Sequence, residues 1–351
     1  MLQAHLVARH GSAFALDAEL AVTAHGTTAL LGPNGAGKST VLAAIAGLQP
    51  LASGRIRMGD VVWDDPAAGV FVPPEERRVG VVFQDRRLFE HLSVLDNVAF
   101  AARSRGVGRA EARAGARGWL DRLGLTALAD RRPEALSGGQ AQAVALCRAL
   151  ASDPDLVLLD EPMSALDVGA RHDMRRLLSD VLGELEVPRL LVTHDPLEAF
   201  LLADRIHVLE GGRITQVGTP DEIRLHPRTP YAADLVGTNL VHGRAHGGAV
   251  DVDGHRLQIA DVDVVGPVLL TIHPRAVSVH AASPHGSPRN VWTSTIERVE
   301  DLGGRVRLLV GAPLPLTVEV TRAAVASLDL AVGREVWLAV KATEIVVIGE
   351  R

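Results

Sequence analysis

The chain has 351 residues, 47% of them hydrophobic but only 3% aromatic, and a formal net charge of -6. That length suits one large domain or two ordinary ones, with cores built from Ala, Leu and Val. The acidic balance without a basic block argues against nucleic acid as the main partner. The single Cys147 excludes an internal disulfide and a Cys-clustered zinc site, and no apolar stretch approaches a membrane span.

Cysteine usage suits a reducing cytosol, and the first residues lack a charged start followed by an apolar run, so no secretory signal is expected. A membrane role would therefore run through docking to another protein. The histidines are scattered; His242 and His246 are four apart, but Gly243, Gly247 and Gly248 favour a surface loop there over a metal-binding helix.

In chain order, Phe14 to Val22 alternates apolar with small or polar residues and reads as a half-buried strand. Thr28 to Leu31 reads as a short buried strand. It runs into Gly32-Pro33-Asn34-Gly35-Ala36-Gly37-Lys38-Ser39-Thr40, which fits the phosphate-binding P-loop pattern. Val41 to Leu48 reads as the helix leaving it. The glycines let successive N–H groups curl toward an anion, and the helix N-terminus adds its partial positive charge. Lys38 would reach the β- and γ-phosphates of a nucleotide, and Ser39 would ligate Mg²⁺. Gly54 to Met58 and Val61 to Trp63 form a predicted hairpin, and Val79 to Phe83 a buried strand that delivers Gln84. Val94 to Ala102 and Ala110 to Leu123 are predicted helices. Leu136-Ser137-Gly138-Gly139-Gln140 precedes a helix through Leu150. Leu156 to Leu159 is an apolar strand ending in Asp160-Glu161, a helix is expected from about Val168 to Leu185, and Leu190 to Thr193 is a strand tipped by His194. Arg205 to Glu210 and Arg213 to Val217 form a hairpin, and Thr219-Pro220 opens a helix. Beyond about Gly237 helical patterns stop. Short Val- and Leu-rich strands alternate with Gly, Pro and Asp turns, most economically as a small Greek-key barrel.

A strand-end Asp160 holds a carboxylate rigidly at a Mg²⁺ site, and Glu161 beside it is placed to orient or deprotonate the attacking water. With the P-loop before it and the Leu136 to Gln140 run between, the chain resembles the ATP-binding cassette (ABC) ATPases from roughly Leu2 to Val236. The resemblance implies an α/β P-loop NTPase cassette over residues 1–236 with a helical subdomain at 85–136. It implies ATP and Mg²⁺ as cofactors, and a homodimer in which Ser137, Gly138, Gly139 and Gln140 of one copy close over ATP on the P-loop of the other. It also implies a Q-loop at Gln84 that senses Mg²⁺, a D-loop at Ser164-Ala165-Leu166-Asp167, and a γ-phosphate switch at His194. The family stacks adenine on an aromatic residue near the end of its first strand; counting back puts His10 there, with Phe14 the nearest aromatic. Ala141 and Ala143 stand where larger polar or basic residues are usual.

A cassette followed by a small all-β, OB-like barrel at 237–351 resembles the ATPase subunits of bacterial importers. The run Phe83 to Val94 is similar to that of molybdate-importer ATPases, and Asn290-Val291-Trp292, Thr321-Arg322 and Val340 to Thr343 echo the oxyanion-associated barrel of that group. This implies an ATP hydrolase docked to two integral membrane permease subunits at the cytoplasmic face, with a periplasmic or lipid-anchored solute-binding protein as indirect partner. Molybdate or tungstate is the implied solute; sulfate, ferric iron, sugar or polyamine are alternatives, and so is a soluble non-transport ATPase of the family. Thr321, Lys341 and Thr343 are the candidate oxyanion ligands, with Ala324 where such barrels tend to carry Ser. The barrel serves either as a sensor or as a dimerisation module.

Overall fold

Leu2, Ala4, Leu6 and Ala8 are buried while Gln3 and His5 are exposed, the period-two pattern of a strand with one solvated face. This is β1 (Leu2–His10), paired antiparallel with β2 (Phe14–Val22). The sequence reading passes over β1 as an element because its alternation is carried half by alanine. The structure, a computed structural model, describes residues 1–10 and 14–349, and the side chains of all of these except Arg9, His10 and Phe14. The adenine contact expected of His10 or Phe14 thus lies outside the described residues.

The wholly buried β3 (Thr27–Leu31) feeds the P-loop, and α1 (Lys38–Ile45) leaves it. β4 (Ser53–Met58), β5 (Val61–Asp65) and β6 (Val70–Phe71) complete a five-stranded sheet in the order β2-β1-β4-β5-β6. After β7 (Val79–Val82) come α2 (Val94–Val98), α3 (Phe100–Ser104) and α4 (Arg109–Arg122). The single helix expected over Val94 to Ala102 is broken at Ala99, whose ψ of -10° is that of a closing turn. In α4 the buried residues are Ala112, Ala116 and Leu120, one stripe at four-residue spacing, with arginines around it. Arg113 on α4 donates to both oxygens of Asp96 on α2 at 2.8 and 2.6 Å, pinning the two helices together.

Then follow α5 (Gly138–Leu150), β8 (Leu156–Asp160), α6 (Val168–Gly183), β9 (Arg189–Thr193), α7 (Pro196–Leu202), β10 (Arg205–Glu210) and β11 (Arg213–Gly218). The second sheet runs β11-β10-β3-β9-β8-β7, parallel except at the β10–β11 hairpin. Both its faces are buried, which is why β8 is a continuous apolar run. Leu156 and Leu158 face the core shared with α1 and the first sheet; Val157 and Leu159 face the core shared with α2, α4 and α5. The carboxyl ends of β3, β7, β8 and β9 carry Gly32, Gln84, Asp160 and His194, as open α/β sheets present their ligand residues.

The chain forms two compact units, Met1–Asp221 and Glu222–Arg351. The helices α8 (Pro220–Leu225) and α9 (Pro230–Val236) lead into strands β12 (Asn239–His246), β13 (Ala249–Val252), β14 (His255–Gln258), β15 (Gly266–Ile272), β16 (Ser278–His280), β17 (Asn290–Asp301), β18 (Val306–Val310), β19 (Leu316–Val320), β20 (Glu335–Val340) and β21 (Ile345–Gly349). These make two five-stranded antiparallel sheets, β14-β13-β12-β15-β21 and β16-β20-β17-β18-β19, around one aliphatic core. Two buried asparagines stitch the sheets together. Asn239 donates to Ile272 O and Thr317 O and accepts from Thr317 N; Asn290 exchanges bonds with Gln258 N and O. One helix interrupts the strands against expectation, α10 (Arg322–Leu328). Ala323, Ala324 and Ala326 carry no strand alternation, and Thr321 caps it, accepting from Ala324 N at 3.1 Å.

Candidate functional site

The P-loop is shaped by two glycines. A Cβ on Gly32 would lie 2.3 Å from the Leu209 carbonyl oxygen at the end of β10, and Gly37 takes φ 108°, a left-handed value that disfavours side chains. Lys38, 7% exposed, folds its ammonium back to donate to Gly32 O at 2.7 Å and Pro33 O at 3.0 Å. Burial pulls its pKa down; the charges of Glu161 and Asp160 pull it up. Thus the loop carbonyls hold the ammonium, and the charges of two carboxylates favour its protonated form. Ser39 is exposed at the helix start.

Behind the P-loop helix stands Arg77, 2% exposed, which the sequence reading did not single out. It donates to Ala44 O and Ile45 O in the last turn of α1, and to Trp63 O and Val72 O, at 2.7, 2.9, 3.1 and 2.7 Å. A cation on those carbonyls also complements the helix dipole. Gly47 leaves room for it: a Cβ there would come within 2.9 Å of Arg77 Nε.

Asp160 closes β8. Burial raises its pKa first and the neighbouring Glu161 raises it further, while Lys38 and Arg87 oppose both. Two adjacent carboxylates, one of them destabilised by burial, favour a cation beside them. Ser39, Gln84 and Asp160 offer hard oxygen donors of the kind Mg²⁺ takes, with few protein ligands and room for phosphate oxygens. The donor set fits that ion. Among the described residues no group of three or more His, Cys, Asp or Glu is assembled for a metal.

Glu161 sits in the left-handed region at φ 42° and donates its N–H to Val192 O at 2.8 Å. Such a conformation costs on the order of 1–3 kcal/mol and persists where surroundings over-determine it. Its Oε1 shares a hydrogen bond of 3.0 Å with His194 Nδ1. The carboxylate is 15% exposed and the imidazole 52%. The D-loop turns back on the same residue, Ser164 donating from N and Oγ to Glu161 O at 3.2 and 3.0 Å. Ala165 is exposed, Leu166 is buried, and Asp167 caps α6 by accepting from Ala170 N.

Gln84 is exposed just beyond β7. The residues after it are strained: Arg86 and Arg87 take φ 60° and 48°. Arg148 of α5 holds both, donating to Arg87 O at 2.6 Å and Arg86 O at 3.0 Å. Ser137 and Gln140 form a reciprocal capping box at the start of α5, with bonds of 3.3 and 3.1 Å. Ser137 and Gly138 are exposed, leaving the first N–H groups of α5 on the surface. One protomer therefore brings P-loop, Asp160, Glu161 and His194 together and leaves the Ser137 to Gln140 face outward.

In the second unit, Lys341 lines a cleft of about 400 Å³ with His273, Arg275 and Ser278; Thr321 and Thr343 are not among its lining residues. The Thr321 hydroxyl is engaged as the α10 cap. No described helix is long and apolar enough to cross a membrane.

Comparison with known proteins matches residues 16–164 to the ABC transporter family model and residues 286–347 to the TOBE domain model. The molybdenum import ATP-binding protein ModC of Mycobacterium tuberculosis is 42% identical over 347 residues, covering 94% of this chain and 93% of that protein. The Fe(3+) ions import ATP-binding protein FbpC of Streptomyces avermitilis is 41% identical over 277 residues, covering 78% of this chain and 79% of its own. Among solved structures, the dimeric post-hydrolysis state of the ATP-binding cassette MJ0796, bound to ADP and Pi, aligns with TM-score 0.53 at 29% identity, over 63% of this chain and 99% of that one.

Proposed function

We infer the function from the family: this chain belongs to the ABC transporter ATP-binding proteins and hydrolyses ATP as the energising subunit of an importer, and we propose that the solute is molybdate, with tungstate accepted. The observation that carries the solute is the length of the likeness. The molybdenum-import relative matches along nearly the whole chain, the C-terminal sheets included, whereas the iron-import relative leaves about a fifth of it unmatched. Ferric iron is the second reading, since the identity over the matched part is nearly equal. We further propose that two copies dock on two permease subunits at the cytoplasmic face, and that residues 237–351 form a regulatory or dimerisation domain after a cassette at 1–236.

In this reading Lys38 and the P-loop N–H groups bind the β- and γ-phosphates. Ser39, Gln84 and Asp160, the last through water, would hold Mg²⁺, which would supply charge neutralisation on the phosphate oxygens. Glu161 orients the attacking water and accepts its proton; His194, bonded to Glu161, reports the γ-phosphate. Ser137, Gly138 and Gly139 of the second copy present N–H groups to the same phosphate. Oxyanion sensing through Thr321, Lys341 and Thr343 is a separate proposal from transport.

Deleting the gene is expected to abolish high-affinity molybdate uptake, with growth on molybdenum-dependent enzymes restored by excess molybdate. Normal molybdate uptake in the deletion strain, with ferric iron or sulfate uptake lost instead, overturns the solute. For sensing, titration of the full-length protein with molybdate should release heat that Lys341→Ala removes; no heat at millimolar molybdate leaves the C-terminal unit a dimerisation module.

A further inference from the structure

The turn that carries His194 is held from beneath by two side chains that the reaction itself does not use. Thr193 ends β9 and is 2% exposed; Glu198 lies in the first turn of α7 and is 3% exposed. The Thr193 hydroxyl donates to Glu198 Oε2 at 2.7 Å and accepts from Asp195 N at 3.0 Å. One oxygen atom thereby bridges the residues on either side of His194. The chain beyond is fixed as well, because Asp195 caps α7 by accepting from Leu197 N at 2.8 Å.

A buried carboxylate is a costly way to fill space. Burial pushes the Glu198 pKa up, and the Thr193 hydrogen bond and the charges of Arg171 and Arg175 on α6 counter it. An apolar side chain in its place would serve packing equally well and would leave the Thr193 hydroxyl without its acceptor. What the carboxylate adds is direction. It fixes the hydroxyl rotor, the rotor fixes the Asp195 N–H, and the turn between presents the half-exposed imidazole at 3.0 Å from Glu161. Glu161 is itself locked by its bond to Val192, one residue before Thr193. The two reacting groups are therefore tied to one strand end.

We propose that Thr193 and Glu198 are positioning residues for the hydrolytic step, holding His194 in register with Glu161. This rests on the roles given above to His194 and Glu161. A displacement of about 1 Å at such a pair is worth up to ~10² in rate, while nucleotide affinity, made at the P-loop, is untouched.

The test is steady-state ATP hydrolysis by the assembled transporter with Thr193→Val, Thr193→Ser, Glu198→Gln, His194→Ala and the double variant Thr193→Val/His194→Ala. Thr193→Val is expected to lower kcat about tenfold or more with KM for ATP nearly unchanged. Thr193→Ser restores the rate, and Glu198→Gln, whose amide oxygen still accepts, loses less than Thr193→Val. The double variant is no slower than His194→Ala alone, because residues acting as one unit are not additive. Should Thr193→Val not accumulate as folded protein, Thr193→Ala completes the same cycle. Wild-type kcat in Thr193→Val while His194→Ala is slow overturns the inference and leaves the site reading intact; so do losses that multiply in the double variant. Full turnover in His194→Ala overturns the site reading and this inference with it.

Discussion

The two units of this chain differ in whether they bury ionisable side chains. The first buries ionisable side chains, Lys38, Asp160 and Glu198 at or beside the site and His207 away from it, and all four have pKa values moved mainly by burial. The second buries amides. Asn239 and Asn290 have their bonding capacity taken up by backbone, and the aliphatic core around them is neutral. A buried charge stores free energy that a ligand or a proton can release, whereas a saturated amide only fixes geometry. On this contrast the first unit is expected to be the part whose state changes with nucleotide and the second to act as scaffold apart from the Lys341 cleft.

The largest effect that should sharpen the contrast lies at Glu161. Glu161→Gln keeps size and the bond to His194 but removes the base, so kcat is expected to fall by about 10² or more, roughly 3 kcal/mol in the barrier. ATP binding should survive and a nucleotide-bound dimer accumulate, read by size-exclusion chromatography with MgATP. Lys38→Ala should fail one step earlier, at binding. Wild-type hydrolysis by Glu161→Gln in the assembled transporter would show that the base is elsewhere.

Acid comes next. His207 on β10 is 5% exposed, and burial, helped by Arg205, lowers its imidazole from 6.5 to about 4. Between those values the unfolded chain binds more protons than the folded one, so stability falls as pH drops from about 6.5 to about 4, by about 3 kcal/mol in all. Its buried Nδ1 has no hydrogen-bond partner among the described residues. Urea unfolding of His207→Leu at neutral and mildly acid pH should show a shallower decline than wild type. Equal slopes in the two proteins would show that His207 is not the group behind the acid response.

The smallest effect is at Thr321. Removing the α10 cap by Thr321→Ala should cost about 1 kcal/mol, measured by denaturant melting, while ATP turnover stays unchanged. If the same variant also loses molybdate heat in calorimetry, the hydroxyl does more than cap, and the second unit is not simply scaffold.

The first unit was legible in sequence because its functional residues sit at strand ends, next to patterns that local physics explains. The glycines of the P-loop, the apolar run before Asp160, and Ser137 with Gln140 three residues on are each a short-range signal. The helix at Arg322–Leu328 was not legible, although its three alanines favour helix, because seven residues between strands are too few to show a helical period. Nor was β1, where alanines stand at half of the buried positions.

By itself the sequence determined the P-loop, the order of strands that carry Gln84, Asp160 and His194, and the change of architecture near Gly237, since each rests on contacts between residues close along the chain. Only the tertiary structure decided which distant groups meet. Arg77 closes on the last turn of α1 across more than thirty residues, Arg148 holds a strained pair sixty residues before it, and Glu161 reaches His194 because β8 and β9 are neighbours in the sheet. Hydrogen-bond partners of buried charged groups are chosen by where the backbone carbonyls end up, and that is a property of packed layers rather than of any stretch of chain.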